Sequence, residues 1–185
     1  PCGACSAWPR SGQAAQISLS GTLGRVLVKE LRAHLPTLSA AVGEREVAGA
    51  LRTVKADVSE SNPLDGLRLA VEIKPVNVAV GRAIWNRSGD IRTVAVNLHL
   101  KFPFAVVGGV LVIPTYEEEV NRKGEITRRS TEHLISRAVE RLTRAGGRRS
   151  EGDAPHLRGV CVLVYDPDTA RLGEHLPPQG SGLRL

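Results

Sequence analysis

Residues 53–75, TVKADVSESNPLDGLRLAVEIKP, read as two strands and one turn. Pro63-Leu64-Asp65-Gly66 carries the turn chemistry: proline fixes φ early and glycine accepts positive φ late, so the flanking runs pair antiparallel. With those four residues as the loop, paired positions sum to 129, which sets Asn62 against Leu67, Val58 against Val71 and Asp57 against Glu72. Alternation sends Leu67, Leu69, Val71 and Ile73 to one face and Arg68, Ala70, Glu72 and Lys74 to the other. An opposed Asp and Glu repel unless a proton, a basic side chain or a divalent cation offsets their charge. Hard oxygen ligands in a partly open site suit Mg²⁺, which keeps several waters and takes one or two carboxylates. The plainer alternative is that an E-x-K on a hairpin strand is a hydrated face. Asp65 rivals Asp57 as the first carboxylate, although the turn already gives it a role.

Around this hairpin the pattern predicts a single domain over 18–175, with a lead at 1–17 and a loose tail at 176–185. The Gly, Ala, Ser and Pro content of the lead predicts disorder, with a short strand near Gln16-Ile17-Ser18. Val26, Leu27, Leu31 and Leu35 predict a helix from Thr22 to Leu35, stopped by Pro36, with Glu30 at the edge of its apolar face. Val42, Val47, Ala48 and Leu51 predict a second helix from Leu38 to Leu51, which Gly43 and Gly49 weaken. After the hairpin, Ser88 is placed to cap a helix over Gly89–Leu100. The run from Phe104 to Ile113 is apolar throughout, as in a central parallel strand, and Gly159–Tyr165 forms another. Glu117–Gly124 reads as a polar loop anchored by Tyr116, and Thr127–Ala145 as a basic helix with Leu134, Ala138, Leu142 and Ala145 inward. The fold class is α/β, a mixed central sheet flanked by helices.

Asp57 with Glu72-Ile73-Lys74, fourteen residues between Asp and Glu, resembles the PD-(D/E)xK nuclease superfamily. Ala56 stands where the family pattern carries its leading proline. Trp85-Asn86-Arg87 after the E-x-K, and Phe102-Pro103-Phe104 leading into a strand with Gly108, look like features of type II restriction endonuclease relatives. The resemblance covers about Glu30 to Ile113. It implies a restriction-endonuclease-like αβββαβ core, although no strand before Asp57 is evident. It also implies Mg²⁺ held by Asp57 and Glu72, and a water positioned or activated by Lys74. Glu30 is a further candidate because some members place a helix Glu near the metal. On this reading Arg82, Asn86 and Arg87 leave the end of the catalytic strand beside the metal, where they would hold phosphate or a base edge.

Charge adds an independent indication. Residues 121–149 hold nine Lys or Arg against three Glu, a local +6, which leaves 16 basic against 16 acidic residues elsewhere. A basic segment on a neutral remainder suits a polyanion, since phosphate neutralisation supplies much of nucleic-acid affinity. Arg137, Arg141, Arg144 and Arg148 fall on one helical flank, a row fit to follow a phosphate backbone. The alternative is a solvated helix face. Trp85 is placed either in the core or on a base.

No run approaches the roughly 18 apolar residues of a membrane span, and no secretion signal is visible, which favours the cytoplasm. Cys2 and Cys5 form a C-x-x-C without a second pair to complete a zinc site. No phosphate-binding Gly-rich loop, Ser-centred elbow or His pair at metal spacing is present, and His99, His133, His156 and His175 are scattered. The expected activity is therefore Mg²⁺-dependent hydrolysis of double-stranded DNA, restriction-type, by a two-fold dimer. Alternatives are a repair, recombination or mobile-element nuclease on the same core, a DNA-binding domain that does not cleave, and an enzyme of a small anionic metabolite.

Overall fold

In the computed structural model, which describes residues 13–77, 79–121, 123–150, 152–153 and 157–168, the 53–75 stretch folds as the expected hairpin. Cys2, Cys5, Arg122, His156, His175 and the segment 176–185 lie outside the described residues. The element order is α1 (Gln13–His34), β1 (Ala41–Ala48), β2 (Thr53–Asn62), β3 (Gly66–Pro75), α2 (Val80–His99), β4 (Val106–Pro114), β5 (Tyr116–Val120), β6 (Ile126–Ser130), α3 (Glu132–Ala145) and β7 (Gly159–Tyr165). One mixed sheet runs β1-β2-β3-β4-β7; β3 with β4 and β4 with β7 are parallel, and the rest is antiparallel. Helix α1 packs on one face through Leu19, Val28, Val58, Val71 and Ile73. Helices α2 and α3 pack on the other through Ile84, Ile91, Leu98, Ala138 and Leu142. Ile84, Ile91 and Leu98 are fully buried, each contributing about 1.5–3 kcal/mol of transfer free energy.

The turn is one residue shorter than its chemistry suggested. Gly66 already pairs with Asn62, at φ 75°, a left-handed conformation that an L side chain would resist. The Asn62 side chain accepts the Leu64 amide at 2.8 Å and closes the loop. The register then shifts between Ser61↔Leu67 and Glu60↔Leu69, a bulge at Arg68 that restores Val58↔Val71. It also reverses the phase of alternation: Leu67 joins the α2 side with Ala70, while Leu69, Val71 and Ile73 face α1. The expected common face for Leu67 and Leu69 is thereby corrected.

All four expected helices change, the last of them at its start. The segment predicted as a helix over Leu38–Leu51 is strand β1, the strand missing before Asp57 in the sequence reading. Two glycines weaken it as a helix, and pairing with β2 satisfies its backbone instead. Helix α1 begins at Gln13 and continues through Gly21, so Gln16–Ser18 is helical rather than a strand. Helix α2 begins at Val80, eight residues before the expected cap at Ser88, which is buried within it. Its cap comes from elsewhere in the fold: the Glu117 carboxylate accepts the Val80 amide at 2.8 Å.

The segment read as a polar loop and helix start is hairpin β5-β6. Glu117 faces Arg129 and Glu118 faces Arg128 across it, and opposite charges at paired positions favour the sheet. The Asn121 side chain accepts the amides of Lys123 and Glu125, each at 2.9 Å, and turns the chain. The central parallel strand and the inner stripe of α3 stand as expected; β7 pairs parallel with β4 as a strand, but it is the sheet edge with only Val162 and Tyr165 buried, rather than a second fully buried strand.

Candidate active site

Strand β2 changes its surroundings at Asp57. Its ladder with β3 runs from Asn62↔Gly66 to Val58↔Val71, and Thr53 to Ala56 pair with β1. Val58 belongs to the α1-side core, whereas Val54 and Ala56 belong to the α2-side core. Even-numbered residues of a flat strand share one face, so β2 turns over at Asp57. In β1, Gly43 and Glu44 are two residues set against this one, a bulge that bends the pair. Asn97 of α2 holds the far end of this β1-β2 arm. Its carbonyl oxygen accepts the Leu51 and Arg52 amides at 2.7 and 3.2 Å, and its amide donates to the Arg52 carbonyl at 2.8 Å.

At the bend, the Asp57 Oδ2 accepts the Ile73 amide at 2.7 Å. A side chain thus takes the donor of the neighbouring strand. The Ser20 hydroxyl of α1 also donates to Asp57. Helix α1 comes this close because residue 24 is glycine: a Cβ there would lie 3.0 Å from Val42 and 3.8 Å from the Asp57 carbonyl. Burial raises the Asp57 pKa, with the Ile73 amide and Lys74 opposing it and Glu44 adding a small upward push.

Glu72 is the more perturbed group. It is 4 % exposed, and burial drives its pKa up to about 7 against the attraction of Lys74, with Asp57 and Asp90 pushing it further. Lys74 Nζ binds Glu72 Oε1, while Glu72 Oε2 is buried without a hydrogen-bond partner. The Lys74 side chain is 24 % exposed, which opens this side of the cluster to solvent. A buried acceptor with nothing to accept costs about 1–3 kcal/mol. A proton or a cation would remove that cost.

The chemistry of the donor set fits Mg²⁺, which takes one or two carboxylates and keeps waters in its remaining positions. Among the described residues no group of three or more His, Cys, Asp or Glu side chains is gathered for a metal. Asp57 and Glu72 are the two carboxylates that meet here, and Glu72 Oε2 is the oxygen left without a partner.

Of the residues singled out in the sequence, Asp57, Glu72 and Lys74 come together. Glu30 does not join them: it is exposed and lies ten residues along α1 from Ser20, about 15 Å of helix. Ser20 is the α1 residue that reaches the site. Asp65 sits exposed at the hairpin tip, 3.9 Å from Arg68, and seven residues of extended strand, about 23 Å, separate it from Glu72. Arg82, Asn86 and Arg87 lie in the first turns of α2 rather than on an irregular exit from β3. Arg82 and Asn86 are exposed, and Arg87 pairs with Asp90 at 3.3 Å. Since Asp90 acts on Glu72, this flank of α2 borders the cluster.

The arginine row is also divided. Arg137 and Arg141 lie over the half-buried Trp85 ring, 4.9 and 5.1 Å from its centroid, and Arg144 pairs with Glu140. Arg148 is not part of that row. Helix α3 ends at Ala145, and the buried Arg148 donates to the carbonyls of Asp153 at 2.9 Å and Pro103 at 3.2 Å.

Ser20 and Asp90 were not found in the sequence. Gly24, four residues after Ser20, carried a signal for the first, because small residues on one helix face mark close approach to backbone. Asp90 carried none beyond its i,i+3 relation to Arg87.

These elements define a mixed α/β protein, a five-stranded sheet flanked by helices, with a buried acidic pair and a lysine where the sheet bends. No protein-family model, curated protein or solved structure matches the chain. Among the described residues no helix is long and apolar enough to cross a membrane.

Proposed function

We propose that the chain is a Mg²⁺-dependent deoxyribonuclease of the PD-(D/E)xK type, with a restriction-endonuclease-like core, cleaving double-stranded DNA. The observation that carries this reading is the buried, unpartnered Glu72 Oε2 between Asp57 and Lys74. The order α1-β1-β2-β3-α2-β4 supports it, being the αβββαβ succession that the sequence resemblance implies.

Asp57 and Glu72 would hold the ion, which when bound supplies a polarised phosphate and a water of lowered pKa. The chain's own residues do the rest. The Ile73 amide and Ser20 fix the Asp57 carboxylate, so one ligand is oriented in advance. The Lys74 ammonium, held against Glu72 Oε1 on the solvent-open side of the cluster, would position the attacking water and stabilise charge growing on the phosphoryl oxygens. Arg87 and Asn86, on the adjacent flank of α2, face the phosphates beside the scissile one. Restriction-type cleavage by a two-fold dimer in the cytoplasm is the fuller form of this reading.

The test is incubation of supercoiled plasmid with the protein in Mg²⁺ and in EDTA. Nicking or linearisation in Mg²⁺ alone is expected, with discrete bands for a site-specific enzyme and a smear for a general one. Binding without any cleavage across divalent ions would instead assign the chain to DNA-binding domains.

A further inference from the structure

We propose that the groove between α2 and α3 is a metal-independent anchor for the phosphate backbone of duplex DNA. Its α2 residues, Trp85 and Arg92, lie on the helix face opposite Asp90. The choice of DNA as occupant rests on the nuclease reading; the anion site itself does not. Trp85, Arg92, Arg137, Glu140, Arg141 and Arg144 line a groove of about 350 Å³. Four guanidinium groups thus share one carboxylate, and Glu140 is committed to Arg144. Among the described residues Arg92, Arg137 and Arg141 make no ion pair. Such a concentration of like charge is costly unless an anion completes it.

Trp85 supplies the second observation. Both Arg137 and Arg141 lie over its ring, which holds two long side chains in place before any ligand arrives. Arginine is the residue best suited to this, because its planar guanidinium stacks on a ring while its N–H groups stay free to bind phosphate. Immobilised side chains lose less entropy on binding, so affinity rises without further contacts. The same stacking covers the indole, so the groove offers phosphate ligands rather than a platform for bases. From Arg137 to Arg144 is seven residues, about 10 Å along the helix, the rise of about three base pairs. The groove therefore matches a short run of backbone and carries no sequence information.

The probe is a fluorescently labelled DNA duplex, titrated in EDTA at several salt concentrations and followed by anisotropy. Wild-type protein is expected to bind. The double variant Arg137→Gln/Arg141→Gln is expected to bind at least about tenfold more weakly, with a salt slope smaller by about two. Trp85→Leu keeps every charge, so it should retain the slope and lose several-fold in affinity. Thermal melts establish that each variant is folded. Wild-type protein that fails to bind in EDTA, or a folded double variant with unchanged affinity and slope, overturns the proposal. Plasmid cleavage in Mg²⁺ is measured separately. Loss of EDTA binding in the double variant of a protein that never cleaves sustains the anchor and rejects the nuclease reading; cleavage with an unaltered salt slope does the reverse.

Discussion

The Asp57 carboxylate accepts the backbone amide of Ile73 across the β2-β3 boundary at 2.7 Å, Asp57 lying one residue and Ile73 two residues beyond the last β2-β3 pair, Val58↔Val71. This bond lets β2 turn away without leaving the Ile73 donor buried and unpaired. It also orients an acid beside Glu72. Asp57→Asn keeps the shape and loses the charge, so Mg²⁺ binding should fall at least about tenfold while the fold is retained. Isothermal titration with Mg²⁺ and circular dichroism check the two halves of this expectation.

Lys74→Ala should abolish plasmid cleavage, by about 100-fold or more, and leave duplex binding within about threefold, because a single phosphate contact is a small share of total affinity. Nicking and anisotropy assays measure the two quantities on one preparation. Full cleavage by this variant would remove Lys74 from the mechanism.

The raised pKa of Glu72 makes stability depend on pH. The folded protein holds this proton up to about pH 7, while the unfolded chain releases it near the ordinary glutamate value of 4.5. Folding therefore loses stability as pH rises from 4.5 to about 7 at this residue, on the order of 3 kcal/mol when complete. Glu72→Gln removes the titration but keeps an acceptor for Lys74. It should raise the melting temperature at pH 8 and leave it nearly unchanged at pH 4.5, as read by calorimetry.

The same proton competes with metal. Mg²⁺ binding should strengthen as pH rises from 6 to 8 and should release a fraction of a proton at neutral pH, since Glu72 titrates at about 7. Titrations in buffers of different ionisation enthalpy give the proton count. EDTA should lower the melting temperature only above the pH at which Glu72 ionises.

Asn97 and Arg148 should matter to stability. Asn97→Ala removes the partner of the Leu51 and Arg52 amides and the Arg52 carbonyl at a part-buried contact, which costs about 1–3 kcal/mol. Arg148→Gln removes bonds to the Asp153 and Pro103 carbonyls and should destabilise by about 1–3 kcal/mol without changing the salt slope of DNA binding. Urea melts and the anisotropy assay separate this arginine from Arg137 and Arg141.

Local chemistry made the hairpin, the central strand β4 and the apolar stripe of α3 legible. Pro63 and Gly66 mark a turn wherever they occur in this order, and an apolar run as long as β4 has few exposed alternatives. Pairing arithmetic brought Asp57 near Glu72 and Lys74, and a bulge at Arg68 restored Val58↔Val71 by compensating the shorter loop, but the ladder ends there and Asp57 takes the Ile73 amide instead of pairing with Glu72. The errors arose where the deciding interaction came from a distant residue. Strand β1 carries a spacing compatible with a helix and is a strand because β2 offers it a partner. Ser88 looked like a cap, but α2 is capped by Glu117 from another element.

Composition and periodicity by themselves determined a strand-rich aliphatic core, a basic segment at 121–149 and an acidic pair on one hairpin, because each is written in local pattern. Tertiary structure alone decided that β2 bends at Asp57, that Ser20 rather than Glu30 reaches this site, and that Arg148 is buried while Arg137 and Arg141 lie over Trp85. Those outcomes depend on which surfaces are left to cover after the sheet has formed, and no short window of sequence contains that information.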